Sequence, residues 1–365
     1  MLGLGVKIGK KIKEVSAPPA APGKYWVGGD GDWSDDENHW ALTSGGSPEI
    51  GNLPTNSDDV FIDKNSGLGS SGTITLDVAA NCQNFTSIVE SAYNITGTSN
   101  YFNIYNSAIF ENNLTWNNDT FITFKNNAID KTIKSNGCII PYIEFDGGNV
   151  SLLDDMVLTK IFRLYNGTFD ANNHNVKAAK FYFTAWAGHV PTVRMGSGTW
   201  EATGNVTNGD VWLISESDGQ VVTIIAQTST VKLTHNDCTA FNGGGKTYNN
   251  LWFAGISTGD DQIEGSNTFN NVKSDATRRD LWFDAGSVNI VNSLTISGNS
   301  GRKIVLQRRT DVPIGTWTIN CPSGIISLDY VDISDSIATG EASFYAGAHS
   351  TDSGGNTGWT FTAPP

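Results

Sequence analysis

Residues 247–255 read TYNNLWFAG, residues 268–276 read TFNNVKSDA, and residues 287–298 read SVNIVNSLTISG. The first two begin 21 residues apart, and the third opens about one further period on. Related stretches lie upstream: NCQNFTSIV at 81–89, SAIFENNLTW at 107–116, GCIIPYIEF at 137–145, LTKIFRLYNGTF at 158–169 and NVKAAKFYF at 175–183. Most neighbouring copies are spaced by about 20–30 residues, the period that marks solenoids and repeat arrays. One such unit cannot bury its apolar side alone. Stacked units share a core, and their backbone groups bond from each coil to the next. The alternation in Thr73-Ile74-Thr75-Leu76 and Phe121-Ile122-Thr123-Phe124 suits strands with one buried face.

Composition agrees with many tight turns between short strands. The chain holds 40 Gly in 365 residues, and Asn makes up roughly one residue in ten. Gly, Asn, Ser and Thr each favour chain reversal for a separate physical reason. The 11 Trp, 10 Tyr and 17 Phe supply too much apolar material for a disordered chain. The expected fold is all-β: a right-handed parallel β-helix with a Trp-rich N-terminal cap, the alternative being a β-sandwich, whose turn spacing is similar. Asn at matching turns is expected to form ladders between coils. The segment DDMVLTKIFRL at 154–164 carries acids first and bases later, as a helix prefers, yet its apolar residues alternate, and it reads as strand.

Four regions are expected. Residues 1–24 join a basic amphipathic peptide to a stiff Pro/Ala linker, 25–67 form the Trp-rich cap, 68–340 the solenoid, and 341–365 a C-terminal cap or tail. In the first region Leu2 and Leu4 precede a run of lysines, Lys7, Lys10, Lys11 and Lys13, an amphipathic piece that suits anchoring to a larger assembly or to a membrane interface. The lysines follow the apolar residues, so the segment lacks the order of a secretory signal, and no apolar run approaches bilayer length. A net charge of −14 argues against a nucleic-acid partner.

Candidate chemistry is sparse. Cys82, Cys138, Cys238 and Cys321 form no C-x-x-C pair, and the five histidines show no metal-binding spacing, so no metal or other cofactor is expected. Asp30, Asp32, Asp35, Asp36 and Glu37 offer oxygen ligands at short spacing, but Ala41 stands where a calcium loop needs its terminal Glu, which favours an acidic turn. Trp26, Trp33 and Trp40, spaced by seven, suit either a sugar-stacking platform or a plug for the open end of the solenoid. Asp154 with Asp155, and Glu201 with Asp210, are the pairs to name for glycoside hydrolysis, which needs two carboxyls about 5–9.5 Å apart. Gly243-Gly244-Gly245-Lys246 lacks phosphate-loop spacing and reads as a turn.

Tyr25-Trp26-Val27-Gly28-Gly29, Gly31-Asp32-Trp33-Ser34 and Asn38-His39-Trp40 form a YWVGG-x-G-x-W-S segment. It resembles one that recurs in structural and tail-fibre-like proteins of tailed bacteriophages. Asp58 to Asp63 resembles its continuation, and residues 327–336, Tyr345-Ala346-Gly347 and Asn356 to Trp359 resemble the C-terminal part of the same group. These anchors cover about a quarter of the chain. The resemblance implies a non-enzymatic β-helical virion protein: a fibre, spike or decoration subunit located on the particle. It further implies contact with other virion proteins through the N-terminal peptide, contact with a host glycan or receptor, and assembly as a homo-oligomer, a trimer. It carries no catalytic residues. The alternatives are a tailspike enzyme that depolymerises a host polysaccharide, and a bacterial surface adhesin.

Overall fold

The computed structural model describes residues 23–97, 101–117, 119–125, 130–207, 209–255, 259–275, 280–309 and 314–365. Short strands, almost all parallel, stack into a β-solenoid of about 13 turns. Three columns of strands run its length. The first extends from Ala80–Cys82 through Phe121–Lys125, Lys180–Ala185 and Asp280–Phe283 to Thr351–Asp352. The second starts at Gly23–Trp26 and Asp59–Asp63 and continues through Pro191–Arg194 to Ser336–Thr339. The third opens with Gly31–Asp32 and Gly72–Thr75 and ends with Ser343–Tyr345. Long strands such as Tyr142–Leu152 and Ile161–Asp170 turn a corner and serve two columns, with shifts in register at 145–149. At about 4.8 Å per layer, 13 turns make a rod of ~60 Å.

The sandwich alternative is excluded by this pairing. Phe121 lies beside Tyr142 and Leu251 beside Val272, each a full coil apart in sequence and parallel in direction. Between Gly23–Trp26 and Trp40–Ala41 the pairing is antiparallel, which closes the edge of the first coil. The Trp-rich segment is already part of the stack, because Gly23 is in register with Asp59 and Gly31 with Ile74. The acid-rich stretch at 154–164 lies in strands Met156–Leu158 and Ile161–Asp170. Beyond the first coil, coil length varies from 18 residues, between Ile139 and Val157, to 31, between Phe181 and Trp212. The longer coil carries extra residues in its corners, whereas its three strands keep their length.

Inside, alternate residues of most strands enter a single core. Phe145, Phe162, Phe169, Phe181, Phe183, Trp200 and Trp212 are buried in ring-to-ring contact with centroids about 5–6 Å apart. Asparagine acts mainly as a clip from side chain to backbone. Asn172 Nδ2 donates to the Leu152 carbonyl at 3.1 Å, Asn117 to Gly97 at 2.8 Å and Asn136 to Phe110 at 2.7 Å. Amide-to-amide rungs join Asn103 to Asn81 and Asn292 to Asn270. The clips sit at corners, where the chain leaves the strand ladder and carbonyls need another donor.

At one corner, coils approach so closely that only glycine fits. A Cβ on Gly167, whose φ is +81°, would stand 2.1 Å from the carbonyl oxygen of Gly148 in the coil beside it. Gly286 has φ +80° but nothing within 4 Å of the same atom. In chemical denaturation, Gly286→Ala is expected to cost about 1–2 kcal/mol, the left-handed backbone term alone. Gly167→Ala is expected to cost clearly more; equal costs would mean that the corner is not tight.

Candidate functional site

Leu2, Leu4, Lys7, Lys10, Lys11 and Lys13 lie outside the described residues. Trp26, Trp33 and Trp40 are 0–1% exposed and pack on one another inside the first coil, with Trp33 also against Phe102. Trp26 Nε1 donates to the Gly29 carbonyl at 2.7 Å and Trp40 Nε1 to that of Trp33 at 2.8 Å, so each indole is satisfied in place. His39 stacks on Trp26 at 4.5 Å. None of the three rings offers a face to a sugar.

The acidic residues around them act as backbone latches. Asp30 accepts from the Thr73 amide at 2.9 Å and Asp36 from that of Gly51 at 2.6 Å, while Asp35 caps the short helix Asp36–His39 through Asn38. Among the described residues no three His, Cys, Asp or Glu side chains are grouped so as to hold a metal ion. Asp154 accepts from the amides of Ser135 and Asn136, both at 2.6 Å, and Asp155 from that of Asn175 at 2.8 Å. Lys246 pairs with Glu216 at 2.6 Å, next to a turn at 243–246.

Glu201 and Asp210 are separated. Glu201 belongs to the third column and pairs with Lys177 at 3.3 Å. Asp210 precedes Trp212–Glu216 in the first column and belongs to another group. Asn242 donates to Glu264 at 3.3 Å, and Arg309 pairs with Glu264 and, at 3.5 Å, with Asp284. Glu264 and Asp284 follow the buried ends of in-register strands, Ile263 and Phe283, on successive coils. Burial raises the pKa of Asp210, opposed by its hydrogen bond from Asn242 and by Arg309 and Lys180. Burial also raises that of Glu264, with Asp210 adding to the shift. The arrangement therefore combines carboxyl groups that hold protons more tightly than usual with an arginine between two carboxylates, a combination suited to general acid chemistry. A sequence signal exists in retrospect: Ile263-Glu264-Gly265 and Phe283-Asp284-Ala285-Gly286 place an acid after the last core residue in neighbouring repeats. Asp210 and Arg309 follow no such pattern.

A second outward group lies nearer the N-terminus of the same column. Tyr101, Phe121 and Tyr142 are in register on consecutive coils, with centroids 5.5 and 4.5 Å apart. Arg163 lies 5.9 Å over Phe121 and bonds Glu144 at 2.9 Å. Beyond Tyr142 a shallow groove of about 220 Å³ is lined by Tyr142, Lys160, Ile161, Ala179, Lys180 and Tyr182. No helix of the described residues is long and apolar enough to cross a membrane.

No family model, no curated protein and no solved structure matches this chain.

Register also brings like charges together. Asp260 and Asp280 are partners on neighbouring strands, and burial together with Asp260 raises the pKa of Asp280. A carboxyl raised in the folded state stabilises most below its unfolded value and loses that contribution as pH rises through the folded value. Asp280→Asn is thus expected to melt at a higher temperature than the parent at pH 7. The gap should close as pH falls toward 4, and a gap independent of pH would contradict the assignment.

Proposed function

We propose that this chain is a non-enzymatic structural protein of a bacteriophage virion, a fibre, spike or decoration subunit that also contacts the host surface. The observation that supports this reading most is the unbroken stack of coils. A rod hydrogen-bonded layer by layer, with one continuous core, holds its two ends at a fixed separation, as an appendage must. The terminal segments 25–40 and 327–359, which resemble phage structural proteins, support the same reading. On this view the partners are other virion proteins, met through residues 1–24, a host glycan or receptor, and further copies of the chain in a trimer. Mass spectrometry of purified particles is expected to find the protein at fixed stoichiometry. Its absence from particles, with recovery from a bacterial cell surface, would favour an adhesin.

One observation favours a second reading, a depolymerising spike: the half-buried centre of Asp210, Glu264, Asp284 and Arg309. Incubation with host capsule or lipopolysaccharide tests it. Shortened oligosaccharides that vanish with Glu264→Gln or Asp210→Asn would establish cleavage. An unchanged polymer supports the passive rod.

A further inference from the structure

The groove between Tyr142 and Tyr182 brings two tyrosine rings and two lysines to one depression. Elsewhere several bases are held by acids: Arg163 by Glu144, Lys177 by Glu201, Lys246 by Glu216, Lys273 by Asp275 and Arg308 by Asp335. Lys160 and Lys180 make no ion pair within 4 Å among the described residues. Lys180 Nζ donates to the Gly209 carbonyl at 3.0 Å, and burial lowers its pKa, with Asp210 opposing that shift. Two lysines, neither within 4 Å of a described carboxylate, thus line one depression in a chain of net charge −14.

The walls complete the picture. Phe121 covers one side of Tyr142, the aromatic stack ends there, and Ile161 then lies in register with Lys180. Tyr182 lies two coils from Tyr142 and two residues further along its strand, so the rings stand more than about 10 Å apart, with room for one six-membered ring over the floor of Ile161 and Ala179. Apolar ring faces beside fixed cations suit a ligand with both a C–H face and a negative charge.

We propose that this groove binds a carboxylate-bearing pyranose, one residue of an acidic polysaccharide lying along the rod. The tyrosines hold the ring, and Lys160 and Lys180 meet the carboxylate. Neighbouring sugars continue over Phe121 and Tyr101 toward one end. The inference rests on the reading of the chain as a host-contacting rod and names the ligand class for it. It replaces the tryptophans as the glycan contact.

Titration calorimetry on the full chain tests it, with a galacturonate hexamer, galacturonate monomer and uncharged maltohexaose as probes. The hexamer is expected to bind, at least tenfold more tightly than the monomer, and to weaken as salt rises; maltohexaose is expected to give no heat. Lys160→Met/Lys180→Met should weaken the hexamer at least tenfold and Tyr182→Ala about fivefold or more. Lys177→Met, on the third column, should leave binding unchanged, and circular dichroism should show all variants folded. Absence of hexamer binding, equal binding of maltohexaose, or full binding by the double-lysine variant would each overturn the proposal. Failure here with the protein present in particles sinks the groove alone; binding here with the protein absent from particles sinks the appendage reading alone.

Discussion

The structure depends on the hydrogen bonds that run from each coil to the next. An isolated 20-residue coil leaves its strand amides and carbonyls without partners and half its core open. Stacking satisfies both at once. Because the bonds are parallel and in register, each position on one coil is set against an equivalent position on the next, about 4.8 Å away. Everything else about this chain follows from that repeat distance.

Its consequences differ inside and outside. Inward, equivalent positions stack aromatic on aromatic, as with Phe124 on Phe145 and Phe162 on Phe181. Outward, equivalent positions must avoid stacking like charges. The third column does so with Lys177 beside Glu201 and with Trp252 between Lys232 and Lys273, each within 4.5 Å of its ring. Where the rule lapses, as at Asp260 and Asp280, burial and the neighbouring carboxyl both raise the pKa. Inside the stack Lys131 is nearly inaccessible, bonded through Nζ to backbone carbonyls of Lys125 and Gly147, and burial lowers its pKa to about 8 against the pull of Asp146. Such residues cost stability that the long core must offset.

Much of this was legible before any coordinates. The spacing of TYNN and TFNN, the alternation in short β stretches and the abundance of Gly and Asn together specify stacked coils, because each reflects a local requirement. The role of Asn was half legible: its place at corners followed from turn chemistry, but its partner, a backbone carbonyl one coil away, depends on register. The carboxylates were the least legible. Asp30 and Asp36 look like cation ligands in sequence and turn out to hold amides of distant residues, Thr73 and Gly51. Glu201 and Asp210 are close in sequence but lie on different columns, and the partners of Asp210 come from coils whose lengths are set by corner insertions. A sequence shows which residues can do chemistry; where coils beyond the first vary from 18 to 31 residues, it does not show which of them meet.

The register itself is open to direct test by oxidative cross-linking of cysteine pairs, read by mass spectrometry. Thr192 and Thr223, 31 positions apart, are partners on adjacent strands, as are Thr247 and Thr268. Their Cα atoms are spaced within reach of a disulfide. With Cys238 replaced by Ser, Thr192→Cys/Thr223→Cys and Thr247→Cys/Thr268→Cys should each close a bond readily, whereas Thr192→Cys/Thr268→Cys should not. Failure of both in-register pairs, or equal closure of the mismatched one, would contradict a stack of parallel coils.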